Sequence, residues 1–332
     1  MNDKNYQPLL NVLDTEIAIK LVKDTFENKL RETLNLIRVS APLFVKPESG
    51  LNDNLNGFEK AVSFKAKAIK NGKIEIVQSL AKWKRNALGK YQFPFQYGIY
   101  TDMNAIRPFE KIDAIHSIYV DQWDWEKPIT KDLRNIAYLK EIVNKIYKAL
   151  YETEQVVCTK YDLLKPVLPE EIFFISSEEL LKMYPNKDAK ARELEIVKTK
   201  KAVFIYGIGW PLSNGEPHDL RAADYDDWNL NGDIIVYDEI LNVALELSSM
   251  GIRVDEKTIV AQLEYKKETK KLALPYTKNV INGTLPYTIG GGIGQSRMCM
   301  FLLKKHHIGE VQSSVWSVEE IDEVSKQGIE LL

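Results

Sequence analysis

The 332-residue sequence predicts an α+β fold, a mostly antiparallel sheet flanked by helices. Strand-like runs cluster with turn residues between them, and helical runs do not alternate strictly with strands as a doubly wound parallel sheet requires. A hydrophobic content of 45% with 28% charged residues is that of an ordinary globular chain, which excludes wholesale disorder and a collagen-like repeat. No internal repeat, low-complexity tract or linker interrupts it, and residues 1–332 are read as one domain.

The elements follow in order. A helix is expected over residues 14–33, where Ile19, Val22, Phe26 and Leu30 recur at helical spacing and Asp14 can cap the first turn. It runs into a short β-type segment, residues 36–42, broken by Pro42. Val62, Phe64, Ala66 and Ala68 alternate with Ser63, Lys65 and Lys67. Asn71-Gly72 is then the preferred turn of a hairpin whose second strand is residues 73–78. A short helix at 80–88 precedes a second alternating run, residues 116–126. Ile118, Val120, Gln122 and Asp124 point one way there, and Tyr119, Asp121, Trp123 and Trp125 the other. Residues 134–157 carry the apolar stripe Ile136, Leu139, Ile142, Val143, Ile146 and Leu150 of a long helix. Ser176-Ser-Glu-Glu179 is a capping-box pattern opening another helix, and a third covers 188–199. Strands return at 202–206, 233–236 and 243–247. Thr288-Ile-Gly-Gly-Gly-Ile-Gly294 then opens a helix through Leu303.

Composition limits the function. Forty-five Lys and Arg against forty-seven Asp and Glu leave a formal charge of −2, without the basic excess that holds a long nucleic acid. No apolar run approaches the roughly 20 residues that span a bilayer. Met1-Asn-Asp-Lys-Asn-Tyr-Gln-Pro8 lacks the apolar core of a secretory signal, so a soluble cytoplasmic enzyme is expected. Cys158 and Cys299 alone make neither a disulfide framework nor a zinc cluster, and Cys299 lies in an apolar run that reads as core.

Four clusters carry candidate chemistry. Gly290-Gly-Gly-Ile-Gly-Gln-Ser-Arg297 lets backbone approach a ligand and offers helix N–H groups to anionic oxygens, although taken alone it is equally a turn that needs small residues. It is not the dinucleotide fingerprint, because the pattern fails at Gln295. Arg297 in the first helical turn tips the reading toward a nucleotide. In Arg107-Pro-Phe-Glu110, an arginine and an acceptor three residues on suit an α-phosphate and an adenine amino group; a surface ion pair is the plain alternative. Glu246 and Ser248 share a strand face, as a magnesium ion bridging phosphates requires, or mark an ordinary edge strand. Asp224-Tyr-Asp-Asp-Trp228 with Asn231-Gly-Asp233 is either a solvated acidic loop or a site for a cationic, ammonia-like group. Lys82-Trp-Lys-Arg85 could aim cations at a carboxylate, with Asp53 upstream, although basic residues on a helix ordinarily face solvent. The histidines read as structural.

The helix, short strand and proline of residues 14–42, then Arg107-Pro-Phe-Glu110, then Gly290 to Arg297, in this order resemble the three signature segments of class II aminoacyl-tRNA synthetases. More closely, the chain resembles the ammonia-dependent asparagine synthetases (aspartate–ammonia ligases), which are built on that catalytic core. Asp53-Asn-Leu55, Ser79-Leu-Ala-Lys-Trp-Lys-Arg85, Tyr119-Val-Asp-Gln-Trp-Asp-Trp-Glu126, Leu230-Asn-Gly-Asp233 and Glu246-Leu-Ser-Ser-Met-Gly-Ile-Arg-Val254 carry the likeness, which spans about residues 14–315. Two departures stand out. Gln78 replaces the histidine expected before Ser79, which puts a general base there in doubt, and the stretch between Trp228 and Leu230 is short.

The resemblance implies a single class II catalytic domain that uses ATP and Mg²⁺. L-aspartate would pass through β-aspartyl-AMP, and ammonia would then displace AMP. It places Arg107 on the α-phosphate, Glu110 on adenine, Arg297 beside the nucleotide, and Gly291, Gly292 and Gly294 along it. Glu246 and Ser249, with Asp233, would hold Mg²⁺. Lys84, and second Arg85, would take a substrate carboxylate, with Ser248 and Arg253 among the aspartate contacts. Gln122 and Asp124 would read the amide-forming end and the ammonium, Asp53 would position substrate or relay a proton, and Asp224 would bind ammonium and take its proton. Asn2 stands where glutamine-using synthetases carry a nucleophilic cysteine, so free ammonia is the expected donor. A homodimer through the first helix and residues 36–42 is implied, with no nucleic acid and no membrane as partners. The alternatives are an aspartyl- or asparaginyl-tRNA synthetase-like enzyme, which needs an RNA-binding module, and a non-catalytic descendant that binds amino acid or nucleotide.

Overall fold

The structure is a computed structural model that describes residues 6–53, 55, 59–69 and 72–332. Helix α1 (Val12–Leu34) buries Val22, Phe26 and Leu30, the stripe read from sequence. Its cap is Asn11 rather than Asp14: the Asn11 side chain accepts from the Asp14 N–H, and Asp14 sits in the first turn, where its charge faces the positive helix end. Strand β1 (Leu36–Arg38) follows. A small sheet is formed by β2 (Phe44–Val45), β3 (Ser63–Lys65) and β4 (Lys73–Ile76), with Ser63 opposite Glu75. Asn71, the first residue of the expected hairpin turn, lies outside the described residues.

Eight strands make the main sheet. After α2 (Ala81–Tyr91) come β5 (Gly98–Ile106) and β6 (Tyr119–Pro128). The long helix α3 (Ile136–Lys160), β7 (Phe173–Ser176), α4 (Ser177–Met183), α5 (Ala189–Lys200) and β8 (Ala202–Tyr206) lead to the hairpin of β9 (Asp226–Asp238) and β10 (Val243–Arg253). Helices α6 (Thr258–Tyr265) and α7 (Pro275–Ile281) precede β11 (Thr288–Gly294), α8 (Gln295–Leu302) and α9 (Val318–Lys326). The strand order is β1-β5-β6-β11-β10-β9-β8-β7, and only the outermost pairs, β1 with β5 and β7 with β8, are parallel. The expected antiparallel α+β architecture is therefore the observed one.

Strand alternation sorts the two faces of the sheet. Trp123 and Trp125 of β6 enter the main core with Phe26 of α1 and Leu139, Ile142 and Ile146 of α3. On the opposite face Gln122 and Asp124 line a cavity, and farther along Ile205 and Ile235 pack against Ile196 and Val197 of α5. The Ser176–Glu179 capping box is present in full.

Four expectations change. Strand β5 lacks clear alternation because it is largely buried, and β7 is a four-residue edge strand with a single buried position, so neither showed in the sequence. The acidic run is no solvated loop: Asp224, Asp226 and Asp227 are buried, each on a cation, and the last two open β9. The residues between Trp228 and Leu230 make no loop, since they run inside β9. Lys82, Lys84 and Arg85 of α2 are all buried rather than solvent-facing.

Candidate active site

The cavity, about 340 Å³, lies on the sheet face opposite α1 and α3. Beneath it runs one row of residues paired across four strands, Asp124 of β6, Gly292 of β11, Ser249 of β10 and Asp233 of β9, of which the first three line the cavity. Strand β10 carries a bulge between Glu246 and Ser248. Glu246 pairs with Ile235 and Ser249 with Asp233, two residues apart on β9, so the bulge brings Glu246 and Ser249 onto the same face. Regular alternation had paired Glu246 with Ser248 instead; the Ser248 hydroxyl donates to the Gly292 carbonyl at 3.0 Å.

The glycines of β11 make room for side chains. A Cβ at Gly290 would lie 2.0 Å from Glu126 Oε2, and one at Gly292 would lie 2.4 Å from Gln122 Oε1. The neighbouring strand's polar side chains therefore lie across bare backbone, which places Gln122 and Asp124 in the floor. The segment is a central strand rather than a loop cradling a ligand, although Gly291, Gly292 and Gly294 still line the cavity.

At one end buried cations and carboxylates alternate. Lys84 Nζ bonds Asp124 and donates to the Gly291 carbonyl at 2.9 Å; burial pulls its pKa down, against the pull of Asp124. Asp124 Oδ2 is buried without a partner. Arg253 is clamped by Glu126, with Nε–Oε1 at 2.9 Å and Nη2–Oε2 at 2.6 Å, and by Asp226 through Nη1. Burial works against the Arg253 charge, but the two carboxylates hold it ionised.

Asp53 lines the same end. Its Oδ1 accepts from the Leu55 N–H at 2.9 Å, whereas Oδ2 is buried and unpartnered. Burial pushes its pKa up to about 6, against Lys82, with Asp224 adding to the rise. Gln78, at the histidine position, donates its side-chain amide to the Asp53 carbonyl at 2.8 Å and so fixes the backbone of that turn.

Three expected site residues, Arg85, Asp224 and Asp233, do not line the cavity. Arg85 donates to the Pro286 carbonyl at 2.9 Å and the Val254 carbonyl at 2.7 Å, which ties α2 to the chain before β11 and turns the side chain away from the cavity lining. Asp224 lies behind Asp53, ion-paired to Lys82 at 2.8 Å with Lys271 at 3.7 Å. The lysines hold its pKa down despite burial, and it acts on the site through charge rather than contact.

The other end is cationic. Arg107 and Glu110 leave β5 into the loop over the cavity; Arg107 Nη2 lies 3.5 Å from the Gln78 carbonyl, and its buried Nε has no partner. Arg297, in the first turn of α8, donates to the Glu246 carbonyl at 3.1 Å and the Ile115 carbonyl at 3.3 Å. The two guanidinium groups thus converge on one cavity. Arg221 joins them and bonds Asp233, which it separates from the open space. Burial pushes the Asp233 pKa up to about 7, against Arg221, with Glu246 adding. Asp233 Oδ1 is buried and has no hydrogen-bond partner, so this carboxylate keeps one open acceptor. Two carboxylates and a hydroxyl suit Mg²⁺, which takes one or two protein carboxylates and completes its shell with substrate phosphates. Among the described residues no three His, Cys, Asp or Glu side chains form a self-sufficient metal cage.

Sequence reasoning missed Arg221, Asp226 and Glu126. Glu126 continues the face of Gln122 and Asp124 two residues further on and was within reach of the alternation rule. Arg221 and Asp226 depend on tertiary placement. His116, read as structural, stands at the cavity wall with Nδ1 2.8 Å from Asp113 Oδ1.

The fold is that of the class II synthetases. The structure superposes on asparaginyl-tRNA synthetase from Entamoeba histolytica, solved in complex with asparaginyl-adenylate, with a TM-score of 0.66 at 11% identity, over 91% of this chain and 66% of that one. A family model described as aspartate-ammonia ligase matches residues 13–328, and the chain belongs to the aspartate–ammonia ligase family. Among its relatives, the aspartate–ammonia ligase of Clostridium tetani is 56% identical over 99% of this chain and 96% of its own. That of Fusobacterium nucleatum is 57% identical over 97% of this chain and 98% of its own. Among the described residues no helix is long and apolar enough to cross a membrane.

Proposed function

We propose that the chain makes L-asparagine from L-aspartate, ammonia and ATP through an acyl-adenylate. The β-carboxylate attacks the α-phosphorus, its new O–P bond replaces the bond to the β-phosphate, and pyrophosphate leaves. Ammonia then attacks the β-carbonyl carbon, the C–O bond to AMP breaks, and the surplus proton passes to a base. The observation that carries this reading is the convergence of Arg107 and Arg297 on the cavity whose far end holds Lys84, Asp124 and Arg253.

Arg107 stabilises charge spreading over the α-phosphate, and its unpartnered Nε is the free donor for it. Glu110 accepts from adenine, and Arg297 flanks the nucleotide beside Gly294. Asp124 Oδ2 receives the substrate ammonium, while Lys84 and Arg253, each anchored by an acid, present remaining N–H groups to carboxylates. Gln122 reads the amide-forming end, and Ser248 fixes the β11 backbone beneath it. Asp53, with a pKa near 6, is the proton acceptor for ammonia, tuned by Lys82 and Asp224. Glu246, Ser249 and Asp233 are the residues that would hold Mg²⁺, which when bound neutralises phosphate charge.

Free ammonia fits the cysteines: Cys299 is core, its thiol pushed up to about 12 by burial, and neither cysteine lines the cavity. The chain works as one catalytic domain, in the cytoplasm, as a homodimer, with no nucleic-acid partner. Incubation with ATP, Mg²⁺, aspartate and ammonium is expected to yield AMP and asparagine. ADP and phosphate instead would mean an acyl-phosphate route and would overturn the adenylate.

A further inference from the structure

The segment between β8 and β9, residues 207–225, crosses the cavity face and gives it Leu220, Arg221 and Tyr225. It doubles back on itself, with the Leu212 N–H donating to the Glu216 carbonyl, and then runs past His218 to Arg221. The His218 side chain is 1% exposed, and its Nε2 lies 3.0 Å from Glu193 Oε1 on α5. Its Nδ1 is buried without a partner, so the neutral tautomer with the proton on Nε2, donating to Glu193, fits the site. Glu193 also takes Lys190 Nζ at 3.0 Å. Burial raises the Glu193 pKa, but His218 and Lys190 outweigh it and keep the carboxylate charged. Helix α5 packs on β8, β9 and β10, the strands that carry Asp233 and Glu246.

We propose that His218 is a positioning residue, and that the Glu193–His218 tether holds Arg221 against Asp233 and Glu246 at the phosphate end of the cavity. Burying a polar ring for one hydrogen bond is poor value for stability, since an apolar side chain would fill the same space without desolvation cost. What the bond supplies is register. Arg221 is three residues on, a span of at most about 10 Å of chain, so fixing His218 to the rigid helix limits where the guanidinium can reach. Ala222 is pinned next, its carbonyl accepting from the Trp228 indole at 3.0 Å. Arg221 thus sits between two fixed points. Lys84, Asp124 and Arg253 belong to other elements and do not depend on the tether.

The inference rests on the nucleotide reading of that end and predicts a selective defect. His218→Ala is expected to raise the KM for Mg-ATP about tenfold while the KM for aspartate stays within about twofold. His218→Gln, whose amide N–H can stand in for Nε2–H, is expected to recover most of the loss. Glu193→Ala should match His218→Ala, and the double variant should add little. If His218→Ala does not fold, Glu193→Ala and His218→Gln carry the same comparison. An unchanged KM for ATP, or an equal rise in both KM values, would overturn the tether. A wild-type protein that consumes no ATP would instead overturn the parent reading.

Discussion

Asp233 carries a cost that changes with pH. Its carboxyl titrates near 7 in the fold, because burial outweighs Arg221, against 3.8 in an exposed chain. A folded-state pKa raised in this way contributes stability that is whole below about pH 4 and is lost as pH climbs through 7. Asp233→Asn removes that dependence, so in the absence of ligands the variant's Tm should gain on wild type between pH 4 and pH 8. A constant difference across that range would refute the assignment. Arg107 is a second case: Arg107→Lys keeps a charge but loses the guanidinium Nε that stands unpartnered in the cavity. Aspartate-dependent release of pyrophosphate should fall by about 10²–10³-fold, the usual cost of removing a preorganised transition-state donor. Both residues were visible in the sequence through their neighbours in short motifs. Arg85 shows the limit of such reading, since nothing in a helical basic run reveals which cation meets a substrate and which meets two backbone carbonyls.

Among the elements, β11 and β10 shape the site most. Three consecutive glycines in β11 give up side chains so that Glu126 and Gln122 can lie across the strand. Gly290→Ala would drive a methyl group into the Glu126–Arg253 pair. It is expected to destabilise the protein by about 1–3 kcal/mol, the range for overpacking, and to raise the KM for aspartate more than that for ATP. Denaturant unfolding and steady-state kinetics check the two halves separately; an unchanged midpoint would show that the pair can move aside. The helices were legible because one buried face leaves an apolar stripe at a period of 3.6, as in α1 and α3. Strand β6 was legible because its two faces differ in chemistry. Strand β5 was not, because burial on both sides erases alternation, and β7 was not, because four residues with one buried position set no pattern. The bulge in β10 was also hidden: it adds one residue without any sequence mark, and it alone decides that Ser249 rather than Ser248 joins Glu246.

At the scale of the whole molecule, apolar side chains stand exposed at the N-terminal end of α1. Leu13 and Ile17, one turn apart on α1, are 70% and 53% exposed, and Leu9 and Val12 extend the strip. Strand β1 lies at the edge of the main sheet, paired on one side only, with Ile37 and Leu43 exposed along the same stretch of chain. An exposed apolar helix face, like an edge strand, is a surface that natural proteins cover. A second copy covers it when the contact is isologous, each α1 facing its symmetry mate. Strand β1 pairs with β5, which runs into the Arg107 loop, and β5 with β6, which carries Gln122 and Asp124, so pairing there would stiffen the catalytic floor from its edge. Sedimentation at micromolar concentration should therefore give a homodimer, and Leu13→Glu with Ile17→Glu should give a monomer of lower Tm and reduced kcat. A wild-type monomer would remove the interface from the model of catalysis. A double variant that stays dimeric would move it to another face.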